Sequence, residues 1–180
     1  TEILLIRHGE SRAATEDNPF PLVNGQGDPE LAEIGREQAE KLGQRLADHA
    51  IDAVYVTNLR RTHETAAPLC RIKGLVPGVV EDLREVHLGD WEGGLFRIMV
   101  HQNHPKVIEM HERQEWGKIP GAERNAEFDA RVARGLNSII EKHPDQVVAV
   151  VVHGGVIGSV LAQATKSEPF AFVGADNASI

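Results

Sequence analysis

At 180 residues the chain is long enough for one domain with a sizeable core and too short for two ordinary ones, so a single site is expected. Nineteen Lys and Arg against 27 Asp and Glu leave a net charge of −8, which disfavours a basic protein that tracks nucleic acid. With 41% hydrophobic and 26% charged residues, the composition is that of a globular chain and excludes disorder and collagen-like repeats.

The first element is an apolar run, Ile3 to Ile6, that leads straight into Arg7-His8-Gly9 and reads as a buried parallel strand ending in a turn. Arg12 to Pro29 holds Pro19, Pro21, Gly25 and Gly27, follows neither periodicity, and reads as a long loop of the functional kind. Leu31, Ile34, Ala39, Leu42 and Leu46 recur at helical steps and predict a helix from about Ala32 to Asp48, with Glu37, Glu40, Lys41 and Arg45 in water. Ala53 to Thr57 predicts a strand and Asn58 an N-cap for the helix after it. Gly78 to Val80 is a weaker strand candidate. Periodic stretches from about Leu95 to Gln114, interrupted by Pro105, and from Glu123 to Lys142 predict further helices. A second apolar run, Val147 to Val152, ends on His153-Gly154-Gly155 and passes into Val156 to Ala164, predicted as a buried helix.

Strands alternating with helices predict an α/β fold, a three-layer α/β/α sandwich with a mostly parallel central sheet, whose ligands sit beyond the carboxyl ends of the strands. The one cysteine, Cys70, cannot form an internal disulfide and is expected to pack as a small hydrophobe. No apolar run approaches the ~20 residues that span a bilayer, and Thr1 to His8 lacks the basic region of a signal peptide. A cytoplasmic setting without membrane or nucleic-acid partners is therefore expected.

Arg7 and His8 place a guanidinium and an imidazole at one strand exit, beside a glycine that permits close backbone approach. His153-Gly154 ends another strand and opens a helix, where free N–H groups and the helix dipole favour an anion. Arg61 stands early in the helix after a third strand and supplies the group that matches phosphate bidentately. Singly, each residue reads as an ordinary surface side chain. Three strand exits with the same chemistry point to phosphate.

These residues resemble the histidine phosphatase superfamily, also called phosphoglycerate mutase-like proteins. Arg7-His8-Gly9-Glu10-Ser11 is similar to its signature, and Gly25 to Gly35 to the Gly-x-x-Asp-x-x-Leu loop that enters its first helix. Thr57 to Ala66 resembles its Ser-x-Leu-x-Arg-Ala-x-x-Thr-Ala segment, with Thr57 and Thr62 as departures, and that register selects Arg61 over Arg60. Leu83 to Gly93 looks like its acid-bearing segment, and His153-Gly154 like its last element. The ordered matches cover nearly the whole chain.

The resemblance implies a two-step phosphoryl transfer on a small phosphorylated substrate, with no metal or cofactor. Neutral His8 attacks phosphorus, Arg7, Arg61 and His153 hold the phosphoryl oxygens, and Glu85 protonates the leaving oxygen before taking a proton from water. Glu85 is preferred to its competitor Glu92 on the resemblance alone. Ser11, Gly25, Gln26 and Gly154 are expected around the substrate loop. His63 and His87 either touch substrate or pack. Trp91, Trp116 and Phe96 are candidates for a leaving-group pocket, with Trp91 better suited to the core. His101, His104 and His111 come near helical spacing, but without cysteines or a carboxylate pattern they read as solvated faces and not as a metal site.

Within the family, Ala14 stands where the mutases carry a phosphate-binding Asn, Gln26 replaces a Trp, and no adjacent arginine pair occurs between Arg97 and Pro120. These departures favour a phosphomonoesterase over a phosphoglycerate mutase. A catalytically silent phospho-ligand binder would have lost one of Arg7, His8, Arg61, Glu85 or His153, and all are present. Asn177-Ala178-Ser179-Ile180 resembles the start of another strand in the family's pattern, so a C-terminal strand or tail continuing past Ile180 is expected, and a homodimer is left open.

Overall fold

The two long apolar runs become neighbouring strands of one parallel sheet. The computed structural model describes residues 1–180. In chain order it contains β1 (Glu2–Arg7), β2 (Leu22–Val23), β3 (Gln26–Gly27), α1 (Glu33–Arg45), β4 (Ala53–Val56), α2 (Arg60–Lys73), β5 (Gly78–Val79), α3 (Leu95–His101), α4 (Pro105–Arg113), α5 (Asn125–Lys142), β6 (Val147–Val152) and α6 (Gly154–Thr165). Short 3-10 turns lie at Glu81–Leu83, Gly89–Trp91 and Trp116–Lys118.

The main sheet has the order β1-β6-β4-β5 and every pairing in it is parallel, with Ile6 opposite Val151 and Val151 opposite Val56. Successive side chains of a strand point to opposite faces, and both faces of this sheet are covered. Ile6, Val54, Val56, Ala149 and Val151 pack with Leu42, Ala66, Leu69 and Cys70 on the α1–α2 side. Val148, Val150 and Val152 pack with Phe128, Val132, Val156 and Ile157 on the α5–α6 side. Burying each such valine is worth about 1.5–3 kcal/mol, so β6, buried from Val148 to Val152, is the spine of the core. A smaller cluster of Trp91, Val107, Met110 and Ile119 lies beneath α3 and α4.

Several local expectations need correction. Ile34 is 51% exposed, and Gly35 takes the inward position because α1 crosses the Glu10 backbone so closely that a Cβ would strike the Glu10 carbonyl. Asn58 does not cap α2, which begins at Arg60; Asp28 Oδ1 accepts from the Arg60 N–H at 2.7 Å instead. The Arg12 to Pro29 segment is not structureless, since β2 and β3 pair antiparallel around Asn24-Gly25, both at positive φ, as a tight hairpin turn requires. The helix expected over Val156 to Ala164 starts at Gly154 and leaves Leu161 37% exposed, so only one face is buried. Pro105 divides α3 from α4 as expected and takes the first position of α4, while His104 accepts from the Lys106 N–H at 3.2 Å.

Residues Asn177 to Ser179 run beside the end of β1, where Ser179 O accepts from the Arg7 N–H and Ala178 N–H donates to Arg7 O, each at 3.1 Å, without forming a strand. No helix is long and apolar enough to cross a membrane.

Candidate active site

His8 follows the last residue of β1 and is 4% exposed. Its Nδ1 lies 2.6 Å from Gly9 O, which can only accept, so the ring proton sits on Nδ1 and Nε2 is bare. Arg61 Nε donates towards that bare nitrogen at 3.3 Å. Burial first, then the positive charge of Arg61 and, more weakly, of Arg7 and Arg97, hold the His8 pKa well below its ordinary value. The imidazole is neutral at neutral pH.

Arg61 owes its place to the first turn of α2 and to Asp28 capping that helix. Its Nη1 donates to Gly27 O at 3.0 Å and no carboxylate pairs with it. Burial pushes its pKa down to about 10, partly offset by Glu85, so it remains a cation. Arg7 gives one N–H to the Ala175 carbonyl, while its Nε is buried without a partner.

His153 leaves β6 fully buried, its ring centroid 5.3 Å from that of His8. Its Nε2 is 3.0 Å from Thr57 Oγ1, and its Nδ1 has no partner. Burial and then Arg61 lower its pKa well below the ordinary value. Of the three buried side-chain polar atoms without a partner, Arg7 Nε and His153 Nδ1 both belong to this cluster. Such atoms cost free energy unless a ligand meets them.

Glu85 comes from an irregular segment after β5. Its carboxylate accepts from the Val86 N–H at 3.0 Å and from the Gly155 N–H, in the first turn of α6, at 3.2 Å. Glu92 spans Gly27 N–H at 2.7 Å and Leu88 N–H at 2.8 Å, which ties β3 to the segment after Glu85. Both acids line a cavity of about 260 Å³ with Arg7, His8, Arg61, Gln26 and an apolar wall of Phe20, Leu88, Trp91, Phe96 and Trp116. Trp91 serves both that wall and the cluster beneath α4.

Gln26 is buried and donates from Nε2 to Glu85 O at 2.7 Å. Gly154 adjoins Arg7, where a Cβ would come 3.6 Å from Nε. Gly25 sits exposed at the hairpin turn, outside the cavity. Ser11 lies outside it too and accepts from Arg97 at 2.8 Å, in the wall of a second cavity of about 430 Å³. His63 is absent from the lining, as is His87, whose Nδ1 accepts from the Gly89 N–H at 3.1 Å. His101 is exposed, His104 caps α4, and His111 lies against Phe170. No group of three or more metal-ligating side chains comes together.

Two cations escaped the sequence reading. Arg97 lines both cavities, its guanidinium carbon 5.1 Å from the centre of the Phe20 ring, and nothing in its surroundings along the chain distinguishes it from a surface arginine. Arg131 is buried behind Glu85 and bonded to Glu123, partners spaced eight residues apart across the start of α5.

The buried histidines and arginines gathered at the carboxyl end of a parallel sheet are matched by what the chain resembles. Residues 3–180 match the histidine phosphatase superfamily (branch 1), and the chain belongs to that family. It is 34% identical over 175 residues to phosphoglycerate mutase-like protein 4 of Arabidopsis thaliana, covering 92% of this chain and 72% of that one. It is 31% identical over 173 residues to the metal-independent phosphoserine phosphatase of the same plant, covering 93% and 70%. The native structure of mycobacterial glucosyl-3-phosphoglycerate phosphatase superposes with a TM-score of 0.78 at 28% identity, over 97% of this chain and 85% of that one.

Proposed function

We propose that the chain is a phosphomonoesterase that acts on small phosphorylated metabolites through a phosphohistidine. The observation that carries this reading is the buried, neutral His8, whose bare Nε2 faces a guanidinium that no carboxylate neutralises. The ester's phosphoryl group takes the place beside Nε2, where Arg61, Arg7 and His153 donate to its oxygens. Charge-assisted hydrogen bonds contribute about 1.5–3 kcal/mol each, and those that tighten as charge shifts lower the barrier.

In the first step His8 Nε2 attacks phosphorus, the N–P bond forms, the ester P–O bond breaks, and protonated Glu85 gives its proton to the departing oxygen. In the second, Glu85 carboxylate takes a proton from water, the hydroxide oxygen bonds to phosphorus, and the N–P bond breaks. Inorganic phosphate leaves, and His8 is neutral again, its Nδ1–H still donating to Gly9 O. Each oxygen of both acids accepts from one backbone amide, at 3.0 and 3.2 Å for Glu85 and at 2.7 and 2.8 Å for Glu92, so Glu85 takes this part on its place in the family's motif and on its position against the turn that follows His153. A cavity of about 260 Å³ suits a small substrate.

The test is metal-free incubation with a panel of phosphomonoesters and, separately, with 3-phosphoglycerate plus 2,3-bisphosphoglycerate, following free phosphate and isomerisation. Phosphate release that disappears in His8→Ala, with acid-labile phosphate on the wild-type protein, is expected. Isomerisation with little phosphate release would replace this reading with a mutase.

A further inference from the structure

We propose that Arg131 is the positioning residue of the acid Glu85, an inference that rests on the reading of Glu85 given above. No strand or α-helix lies between β5 and α3, so Glu85 stands on backbone that the sheet does not hold. Catalytic groups need placement to a fraction of an ångström. Here one guanidinium holds three carbonyls of that backbone, and the Gln26 amide adds a second bond to Glu85 O.

Arg131 Nη1 donates to Asp82 O at 2.8 Å and Arg84 O at 2.7 Å, and Nη2 to Glu85 O at 2.8 Å. Nε and Nη2 each reach a Glu123 carboxylate oxygen at 2.7 Å, so all five N–H donors are used. The side chain is 5% exposed, and its guanidinium lies over the Phe128 ring at 4.8 Å. Glu123 extends the grip past Glu85: its Oε2 accepts from the His87 N–H at 3.2 Å and its own N–H donates to His87 O at 2.8 Å. The acid is thus clasped on both sides by groups from α5 and the turn before it. Burial alone would raise the Glu123 pKa, but the bonds and charge of Arg131 hold it below the ordinary range, which keeps the clasp ionic.

A lysine in this place keeps the charge but has three donors on one atom, and cannot serve three carbonyls and a carboxylate together. The expected fault of Arg131→Lys is therefore a misplaced Glu85, with His8 and its phosphate partners intact. A displacement of about 1 Å can cost on the order of 10²-fold in rate.

The experiment compares an alkyl phosphate, whose alkoxide needs a proton to depart, with p-nitrophenyl phosphate, whose phenolate does not. Wild type, Glu85→Gln, Arg131→Lys and the milder Glu123→Gln are measured with each ester, alongside melting temperature and inhibition by vanadate. For Arg131→Lys, kcat/KM on the alkyl ester should fall about 10²-fold while that on the aryl ester is largely kept. A burst of p-nitrophenolate should precede slow turnover, because the second step also needs Glu85, and vanadate inhibition should persist. Glu123→Gln should change in the same sense, and it decides the matter if the lysine variant does not fold. Equal losses on the two esters, or no loss on either, would overturn the assignment of Arg131. If Glu85→Gln itself leaves leaving-group dependence unchanged, the role given to Glu85 fails, and this inference with it.

Discussion

Arg61 Nε and His8 Nε2 lie 3.3 Å apart, with a guanidinium N–H directed at the one ring nitrogen that bears no proton. The contact disfavours imidazolium and, in the proposed mechanism, would set a phosphate ligand next to His8. Replacing Arg61 with Gln removes a charge that lowers the His8 pKa, so that pKa must rise. The acid limb of kcat/KM should then move to higher pH, and vanadate binding should weaken by about 1.5–3 kcal/mol. An acid limb that stays in place or moves down would contradict the coupling.

Stability should fall as the solution is acidified. His8 and His153 both have folded pKa values well below the ordinary histidine value of about 6.5. Above that value neither state carries the proton and the two contribute no pH dependence. As pH drops below it the unfolded chain gains protons that the folded chain refuses, so stability is lost at up to about 1.4 kcal/mol per pH unit for each residue, until the folded pKa values are reached. Chemical denaturation between pH 7.5 and 5 measures this slope. His8→Asn should make it shallower by up to about 1.4 kcal/mol per pH unit, and an unchanged slope in that variant would show that His8 is not kept neutral.

Gly155→Ala should separate stability from activity. A Cβ at this position would lie 2.5 Å from Glu85 Oε1, so the carboxylate must swing off the Gly155 N–H. Alanine is the better helix former, and the flexible acid can yield, so the melting temperature should hold or rise slightly. Turnover of alkyl phosphates should nevertheless drop on the order of 10²-fold. Full activity in this variant would mean that the Glu85 carboxylate does its work from elsewhere.

Glu92→Gln and Glu85→Gln should differ in kind. An amide at 92 loses one of the acceptors for Gly27 and Leu88 and presents an N–H to a backbone N–H, a fault worth about 1–3 kcal/mol of stability. Both esters should slow together. Glu85→Gln should instead spare the aryl ester in kcat/KM. If the two variants exchange these signatures, Glu92 is the acid.

The strand exits carrying His8 and His153 were legible because Ile3 to Ile6 and Val147 to Val152 are unbroken apolar runs, which only a strand covered on both faces can hide. The side of α1 that faces inward was misjudged at Ile34, since the close approach to Glu10 that makes Gly35 the buried residue belongs to tertiary packing. The cap of α2 comes from Asp28, which the chain delivers from the far side of α1, and no local pattern could reveal it. The Asn24-Gly25 turn was different, for that dipeptide is a hairpin signal in its own right, obscured here by the prolines around it. The grip of Arg131 on three carbonyls was unreadable, because backbone acceptors leave no mark on the residue types that supply them.

The sheet order has a kinetic consequence. β6 lies between β1 and β4, and its pairing joins Glu2 to Val147, residues separated by nearly the whole chain. A refolding chain carries His8 near its start, but β1 and β4 have no edge in common and cannot bring His8 to Arg61 until β6 inserts between them. That insertion closes long loops and belongs to the slow class of folding events. Enzyme activity regained after dilution from denaturant therefore reports the entry of one central strand, while helix signals return earlier and say nothing about the site.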